Sequence, residues 1–329
     1  MVRAERTSTL DRTRFTELPP RPGRLSFSAT VPRHLVHRRA VSEVLLTDWC
    51  QSSIDSFVCA AQWSRSHSFY RIRNGLHDPL LLAETIRQTG LLLCHEAYQV
   101  PPGHCFLMNR MEYGTRLDAM AAGAAPAEVV LAVQVQKLRR STRSVTALRL
   151  DVEFHRGTIP IGRGAGWVQC VEPVLYKRIR SAHRPRVNVP QPRPAPVPPA
   201  EVGMVEAEDV VLGLRRQPGA WPLRVVTEHP VLFDHPLDHV PGMLVLEGMR
   251  QASRALLGWP KSQPTTYDVT FYQFIEPNVP SAVHAEVRQR SDATATVRMA
   301  LIQAENTAAQ GTMTMSNIAD GGIPPDRSR

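Results

Sequence analysis

The chain has 329 residues, enough for two cores of about 100–150 residues each, and its hydrophobic fraction of 43% is ordinary for a globular protein. No run approaches the roughly 18 apolar residues of a membrane span, and residues 1–32 lack a hydrophobic signal core, so a cytoplasmic protein with no membrane partner is expected. The net charge of +9 divides into +6 over residues 1–39 and +5 over residues 176–204, which leaves the remainder at −2; without a helix-turn-helix or zinc-finger pattern, no nucleic-acid partner is expected.

In chain order, residues 1–33 read as a flexible basic tail. Residues 35–49 and 54–63 read as strands, with Val36, Val41, Val44, Leu45, Phe57 and Val58 set among polar positions. An apolar helix is expected over 78–98, stopping before Pro101, Pro102 and Gly103. Four β-like runs follow at 104–113, 127–138, 145–154 and 158–171. Gly162, Gly164 and Gly166 in the last of these read as a bend rather than a phosphate-binding loop. The basic run Tyr176, Lys177, Arg178, Ile179, Arg180 reads as a solvated linker or as a surface for an acidic partner. Seven prolines between 185 and 199 then disfavour sheet and helix alike, and mark 181–204 as a linker. The order then repeats: strands at 208–215 and 221–228, a helix over 242–257, and strands at 265–275, 282–290, 293–303 and 307–316. Residues 319–329 read as a second tail. Two strands, one apolar helix and four strands, twice over, predict an α+β fold with an antiparallel sheet wrapped around each helix, in domains of 34–180 and 205–318. Cys50, Cys59, Cys94, Cys105 and Cys170 form no C-x-x-C pair and are expected to be reduced and buried; no metal site is expected.

Each helix carries the same ionic motif: Glu84, Arg87 and Gln88 in the first, Glu247, Arg250 and Gln251 in the second, 163 positions later. Two readings stand for each Glu. It can pair with the Arg three residues on as a structural ion pair. Alternatively, desolvation by neighbours such as Leu80, Ile86, Leu246 and Met249 raises its pKa and makes it a general acid or base. Arg250 and Arg87 offer a planar fork for a phosphate or oxyanion, or serve to neutralise their Glu. Substrate contacts are expected at Arg87, His239 and Asp238. The remaining histidines before each helix, His67, His77 and His235, read as loop-shaping or helix-capping groups.

The stretch Asp238, His239, Val240, Pro241, Gly242, Met243, Leu244, Val245, Leu246, Glu247, with His77, Asp78, Pro79 and Leu80 in the first half, resembles the A-factor biosynthesis (AfsA) hotdog family across residues 34–318. Val36-His37-Arg38, His67-Ser68-Phe69-Tyr70 and Pro101-Pro102-Gly103-His104 add to the resemblance. It implies a tandem (double) hotdog fold whose halves pair with each other, so that a single chain can act as a monomer. It also implies an acyltransferase that moves a β-ketoacyl chain from acyl carrier protein to a hydroxyl of dihydroxyacetone phosphate. Internal condensation then leads towards γ-butyrolactone, butenolide or furan signals. No cofactor is implied beyond the phosphopantetheine that arrives on the carrier protein. Carried over residue by residue, catalysis falls to Glu247, Arg250 and Glu84, with Glu247 as base and Arg250 on the phosphate or thioester oxygen. Hotdog dehydratases place a His fourteen residues before the helix Glu, but here those positions hold Tyr70 and Phe233, which turns the expectation from dehydration to acyl transfer. The second copy, with its Pro241-Gly242 helix opening, is the expected seat of the chemistry. A hotdog acyl-thioesterase or a degenerate dehydratase acting on acyl-carrier substrates is the alternative.

Overall fold

The structure, a computed structural model, describes residues 25–140, 145–183, 192–215 and 217–318. The first half contains β1 (Leu46–Ser53), β2 (Ser56–Trp63), α1 (Leu80–Glu96), β3 (Cys105–Thr115), β4 (Ala127–Arg140), β5 (Val145–Arg156), β6 (Ile159–Val171) and α2 (Pro173–His183). The second contains β7 (Ala220–Pro222), α3 (Gly242–Leu257), β8 (Gln263–Phe271), β9 (Ser281–Arg290), β10 (Thr294–Gln303) and β11 (Asn306–Ser316). All pair antiparallel into one sheet of order β1-β2-β4-β5-β6-β3-β8-β11-β10-β9-β7. From the central β3–β8 pair outwards, β6 matches β11, β5 matches β10 and β4 matches β9, so the halves are pseudo-equivalent. The junction pairs Tyr113 with Tyr267 and Glu112 with Asp268. Arg110 bridges the joint, reaching Asp268 at 2.8 Å and Glu112 at 2.6 Å.

Both helices lie on this sheet. In α1, 14 of 17 residues are buried, and in α3, 13 of 16. Burial on nearly every face requires cover from more than one side. Helix α1 crosses β6, β3 and β5, while α3 crosses β9 and β10. Gly164 and Gly166 serve this seating, while Gly162 flanks a register shift in the β5–β6 pairing. Gly164 stands opposite Tyr113 in regular pairing, and a Cβ there would lie 2.4 Å from Ile86 Cδ1 and 2.7 Å from the Glu112 carbonyl oxygen. Gly164→Ala is therefore expected to cost about 1–3 kcal/mol in urea unfolding, because α1 must lift off the strand.

Several boundaries differ from the sequence reading. Residues 35–45 are not a strand: they form 3₁₀ turns at Arg33–Val36 and Val41–Glu43, separated by His37 in the left-handed region at φ 49°. The strands expected at 208–215 and 221–228 shrink to β7 and an isolated Leu212–Leu223 bridge. Pro218 and Pro222, lacking N–H donors, leave little ladder to form there. The basic run at 176–180 is helix α2 rather than a solvated linker, and Arg180 is buried. Of the Pro-rich stretch, 184–191 lie outside the described residues. The rest packs on the second half: Val197 N–H donates to the Leu212 carbonyl, and Val197, Val202 and Met204 are buried. Cys59, Cys94 and Cys170 are buried as expected, whereas Cys50 and Cys105 are half-buried; none of the five is in a disulfide. Among the described residues no helix is long and apolar enough to cross a membrane.

Candidate active site

The two motif copies are held by matching frames. Gln88 donates to the Glu43 carbonyl (2.8 Å) and accepts from the Leu45 N–H (2.8 Å); Gln251 does the same with Asp209 (2.9 Å) and Val211 (3.0 Å). His67 accepts from the N–H groups of Phe69 and Tyr70 and faces Glu43 at 3.4 Å. His229 accepts from Val231 and Leu232 and faces Asp209 at 3.3 Å. These two histidines shape the loops before the helices, as expected for His67. The 162-residue spacing between them was a legible signal for His229, beside the 163 of the motif.

Within these frames the copies diverge. The Glu84 carboxylate receives Arg87 through Nε (2.9 Å) and Nη2 (2.7 Å), Arg38 through Nε (3.1 Å) and Nη2 (2.7 Å), and Gln88 Nε2 (2.7 Å). Burial alone would raise its pKa, but Arg38 and Arg87 outweigh burial and hold it at about 2. Two guanidiniums share this carboxylate, and the Glu43 and Asp234 carboxylates also act on Arg38. Arg38 spends its remaining Nη1 on the Val231 carbonyl at 2.9 Å, tying the first half to the loop before α3. Arg87 keeps Nη1 free of these bonds and is 23% exposed. Sequence reasoning did not single out Arg38 as a site residue, because nothing in its spacing points 46 positions ahead to Glu84. Stability from Glu84 is present above the ordinary pKa of 4.5 and lost as pH falls towards 2. The stability gap between wild type and Glu84→Gln is accordingly expected to reach about 3 kcal/mol at neutral pH and to close between pH 5 and 2 in urea titrations.

In the second copy Arg250 is captured by a carboxylate from the other half. Its Nη1 donates to both oxygens of Asp78, at 2.5 and 2.7 Å, and its Nη2 lies 2.6 Å from Glu247 Oε2, off the hydrogen-bonding axis. Asp78, Glu247 and Arg250 are each at most 1% exposed. Burial pushes the Glu247 carboxyl above its ordinary range, opposed only in part by Arg250 and Arg254. Arg254 is buried beside them, bonded to the Ser262 and Val202 carbonyls and to Gln263. Two guanidiniums against two carboxylates leave this copy balanced and filled.

One cavity of about 620 Å³ opens at the joint between the halves. Phe106 and Met108 of β3, Val168 of β6, Met243 of α3, Phe271 of β8 and Ile275 give it an apolar body. Arg87, Arg38, His37, His235 and His239 line it too, together with the carboxylates Asp234 and Glu276. The structure thus brings Arg87 and His239 to one cavity, with Glu84 directly behind Arg87. Glu247 and Arg250 are not among the residues that line it. Asp238 stands behind His239: its Oδ1 accepts from His239 Nδ1 (2.8 Å) and the Tyr176 hydroxyl (2.6 Å), and its Oδ2 accepts from Arg180 Nε (3.0 Å). Arg180 also grips Glu276 at 2.6 and 2.9 Å. Burial favours the neutral Asp238 acid, but the Tyr176, His239 and Arg180 hydrogen bonds prevail and hold it at about 2. On the opposite wall His37 Nε2 meets His95 Nε2 at 3.0 Å, and His95 Nδ1 bonds the Val100 carbonyl at 2.8 Å. Burial, then His95 and Arg87, depress His37 to about 4. Tyr176, Arg180 and Glu276 escaped the sequence reading as site residues, since they are brought to Asp238 only by α2 and the loop after β8.

A continuous antiparallel sheet carrying two helices in pseudo-equivalent halves, with a cavity at their joint, defines a double-hotdog protein. The chain matches the A-factor biosynthesis hotdog domain over residues 22–172 and 187–319, and it belongs to that family. A 2-oxo-3-(phosphooxy)propyl 3-oxoalkanoate synthase from Streptomyces virginiae is 41% identical over 80% of this chain and 90% of the relative. One of the same name from Streptomyces coelicolor is 35% identical over 78% of this chain and 82% of the relative. Among solved structures, an acyl-ACP thioesterase from Bacteroides thetaiotaomicron superposes with a TM-score of 0.46 and 9% identity, covering 79% of this chain and 98% of that one.

Proposed function

We propose that this chain transfers a 3-oxoacyl group from an acyl carrier protein to a hydroxyl of dihydroxyacetone phosphate, the ester that the relatives' name describes. The observation that carries the reading is a cavity with an apolar body into which the Arg87 guanidinium also opens. At about 620 Å³ it falls within the range of small-molecule sites, about 300–1,000 Å³. The acyl tail lies along Phe106, Met108, Val168 and Phe271, while Arg87 Nη1 receives the phosphate. Glu84 is the anchor that orients Arg87 and Arg38, since its oxygens are already taken by three donor side chains. Glu247 and Arg250 support the reaction by fixing α3, whose Gly242, Met243 and Leu246 face the cavity. His239, with Asp238 behind it, meets the reacting end of the substrate. Lys177 and Arg178 stand exposed on α2, which borders the cavity through Ile179, and give an acidic carrier protein a place to dock.

Incubation with a 3-oxoacyl carrier protein and dihydroxyacetone phosphate is expected to yield a phosphorylated ester, read by mass spectrometry. Release of free 3-oxo acid at a rate independent of dihydroxyacetone phosphate would instead assign a thioesterase.

A further inference from the structure

We infer that His239 is the general base of the acyl transfer and that Asp238 is its positioning residue. This rests on the acyl-transfer reading above. The step needs a group at the cavity that takes the proton of the attacking hydroxyl and later returns it. Glu84 is unsuited, because its two oxygens are occupied by Arg38, Arg87 and Gln88. His37 lines the same cavity, but a proton gained there would face His34, His95, Arg87 and His235. His239 has the opposite surroundings. Its Nδ1 points at the Asp238 carboxylate, so Nδ1 carries the hydrogen and Nε2 holds the lone pair, on a side chain that lines the cavity. A proton gained at Nε2 creates an imidazolium 2.8 Å from an ionised carboxylate. This is the electrostatic arrangement that favours histidine bases, with the carboxylate fixing tautomer and ring orientation.

The support for Asp238 is unusually complete for a residue on a loop. The Tyr176 hydroxyl and Arg180 Nε bond its two oxygens, Arg180 Nη2 bonds its carbonyl at 2.6 Å, and Glu276 holds Arg180 from the other side. The Phe274 ring meets the His239 imidazole edge-on at 5.2 Å and restricts its swing. In the reaction, the hydroxyl O–H bond breaks to Nε2 while the oxygen pair forms a C–O bond to the thioester carbonyl. The tetrahedral intermediate then collapses, the C–S bond breaks, and the departing sulfur takes the proton from Nε2. The carrier protein leaves as its thiol, and His239 is neutral again.

The test is steady-state transfer to dihydroxyacetone phosphate by the full chain carrying His239→Gln or Asp238→Asn, with thermal melting and thioester binding as controls of fold. His239→Gln is expected to lower kcat by about a hundredfold to ten-thousandfold with both KM values little changed. Asp238→Asn is expected to lower kcat by at least about tenfold with both KM values little changed, because the amide no longer fixes the tautomer and orientation of the imidazole. A folded His239→Gln chain that keeps more than about a tenth of kcat, or a folded Asp238→Asn chain that keeps full kcat or loses it only through raised KM values, overturns the assignment alone. A wild-type chain that forms no phosphorylated ester overturns the acyl-transfer reading, and this assignment with it.

Discussion

Arg250→Ala is expected to destabilise the fold by about 3–5 kcal/mol, the usual cost of removing one partner from a buried ion pair. The substitution leaves Asp78 and Glu247, both at most 1% exposed, facing each other with their main cation gone. Burial already raises the Glu247 pKa with Arg250 in place, so its loss drives that carboxyl further towards protonation. The deficit should therefore grow as pH rises above the ordinary carboxylate range in urea titrations, the sign expected for an acid whose folded pKa is raised. Adding only Asp78→Asn to Arg250→Met should recover most of the loss, because Glu247 then stays opposite the buried Arg254 guanidinium and the cluster remains balanced. A folded Arg250→Ala chain of wild-type stability but without transferase activity would contradict this reading and place Arg250 on the substrate.

That expectation inverts the order in which the sequence ranked the two copies. Glu84, Arg87 and Gln88 against Glu247, Arg250 and Gln251 were plain at a fixed spacing, and so were the apolar helices around them. Helix α3 was legible to the residue at 242–257 because Pro241 opens it and Gly258 closes it in the left-handed conformation. The repeated order of strands and helix pointed to an antiparallel sheet around each helix, and the resemblance to the AfsA family implied the double hotdog. What separates an open copy from a filled one was not legible. It depends on Arg38, 46 positions before Glu84, and on Asp78, 172 positions before Arg250. The first contact closes within the first half, where the turn at Arg33–Val36 packs on α1, and the second forms only once β3 and β8 zip the halves into one sheet. Asp78 read as part of a helix approach, yet its carboxylate does two things at once: it accepts the Leu80 N–H at 2.9 Å and plugs the second copy. The same limit applies to α2, whose Arg180 counted as solvated charge until the fold placed it against Asp238 and Glu276. Local pattern fixes which side chains are available; long-range pairing decides which of them meet a cavity.

Arg87→Ala should separate substrate binding from folding more cleanly than any change in the second copy. Glu84 would retain Arg38 and Gln88, so its carboxylate stays paired and the chain is expected to fold. The loss falls on the cavity, which is left without its partly exposed guanidinium. A charge-assisted hydrogen bond to phosphate is worth about 1.5–3 kcal/mol, so KM for dihydroxyacetone phosphate should rise about ten- to a hundredfold. Binding of the 3-oxoacyl thioester, which rests on the apolar walls, should stay within about twofold by calorimetry, because those walls are untouched. Arg87→Lys should recover only part of the affinity. A lysine supplies the charge but not the fork that holds Glu84 through Nε and Nη2 while presenting Nη1 to the ligand. Raising the salt concentration should weaken dihydroxyacetone phosphate binding in the wild type more than in Arg87→Ala, since only the wild type holds the dianion by charge. If Arg87→Ala left KM for dihydroxyacetone phosphate unchanged and instead weakened the thioester, the polar end of the cavity would belong to the carrier arm, and the orientation proposed for the two substrates would have to be reversed.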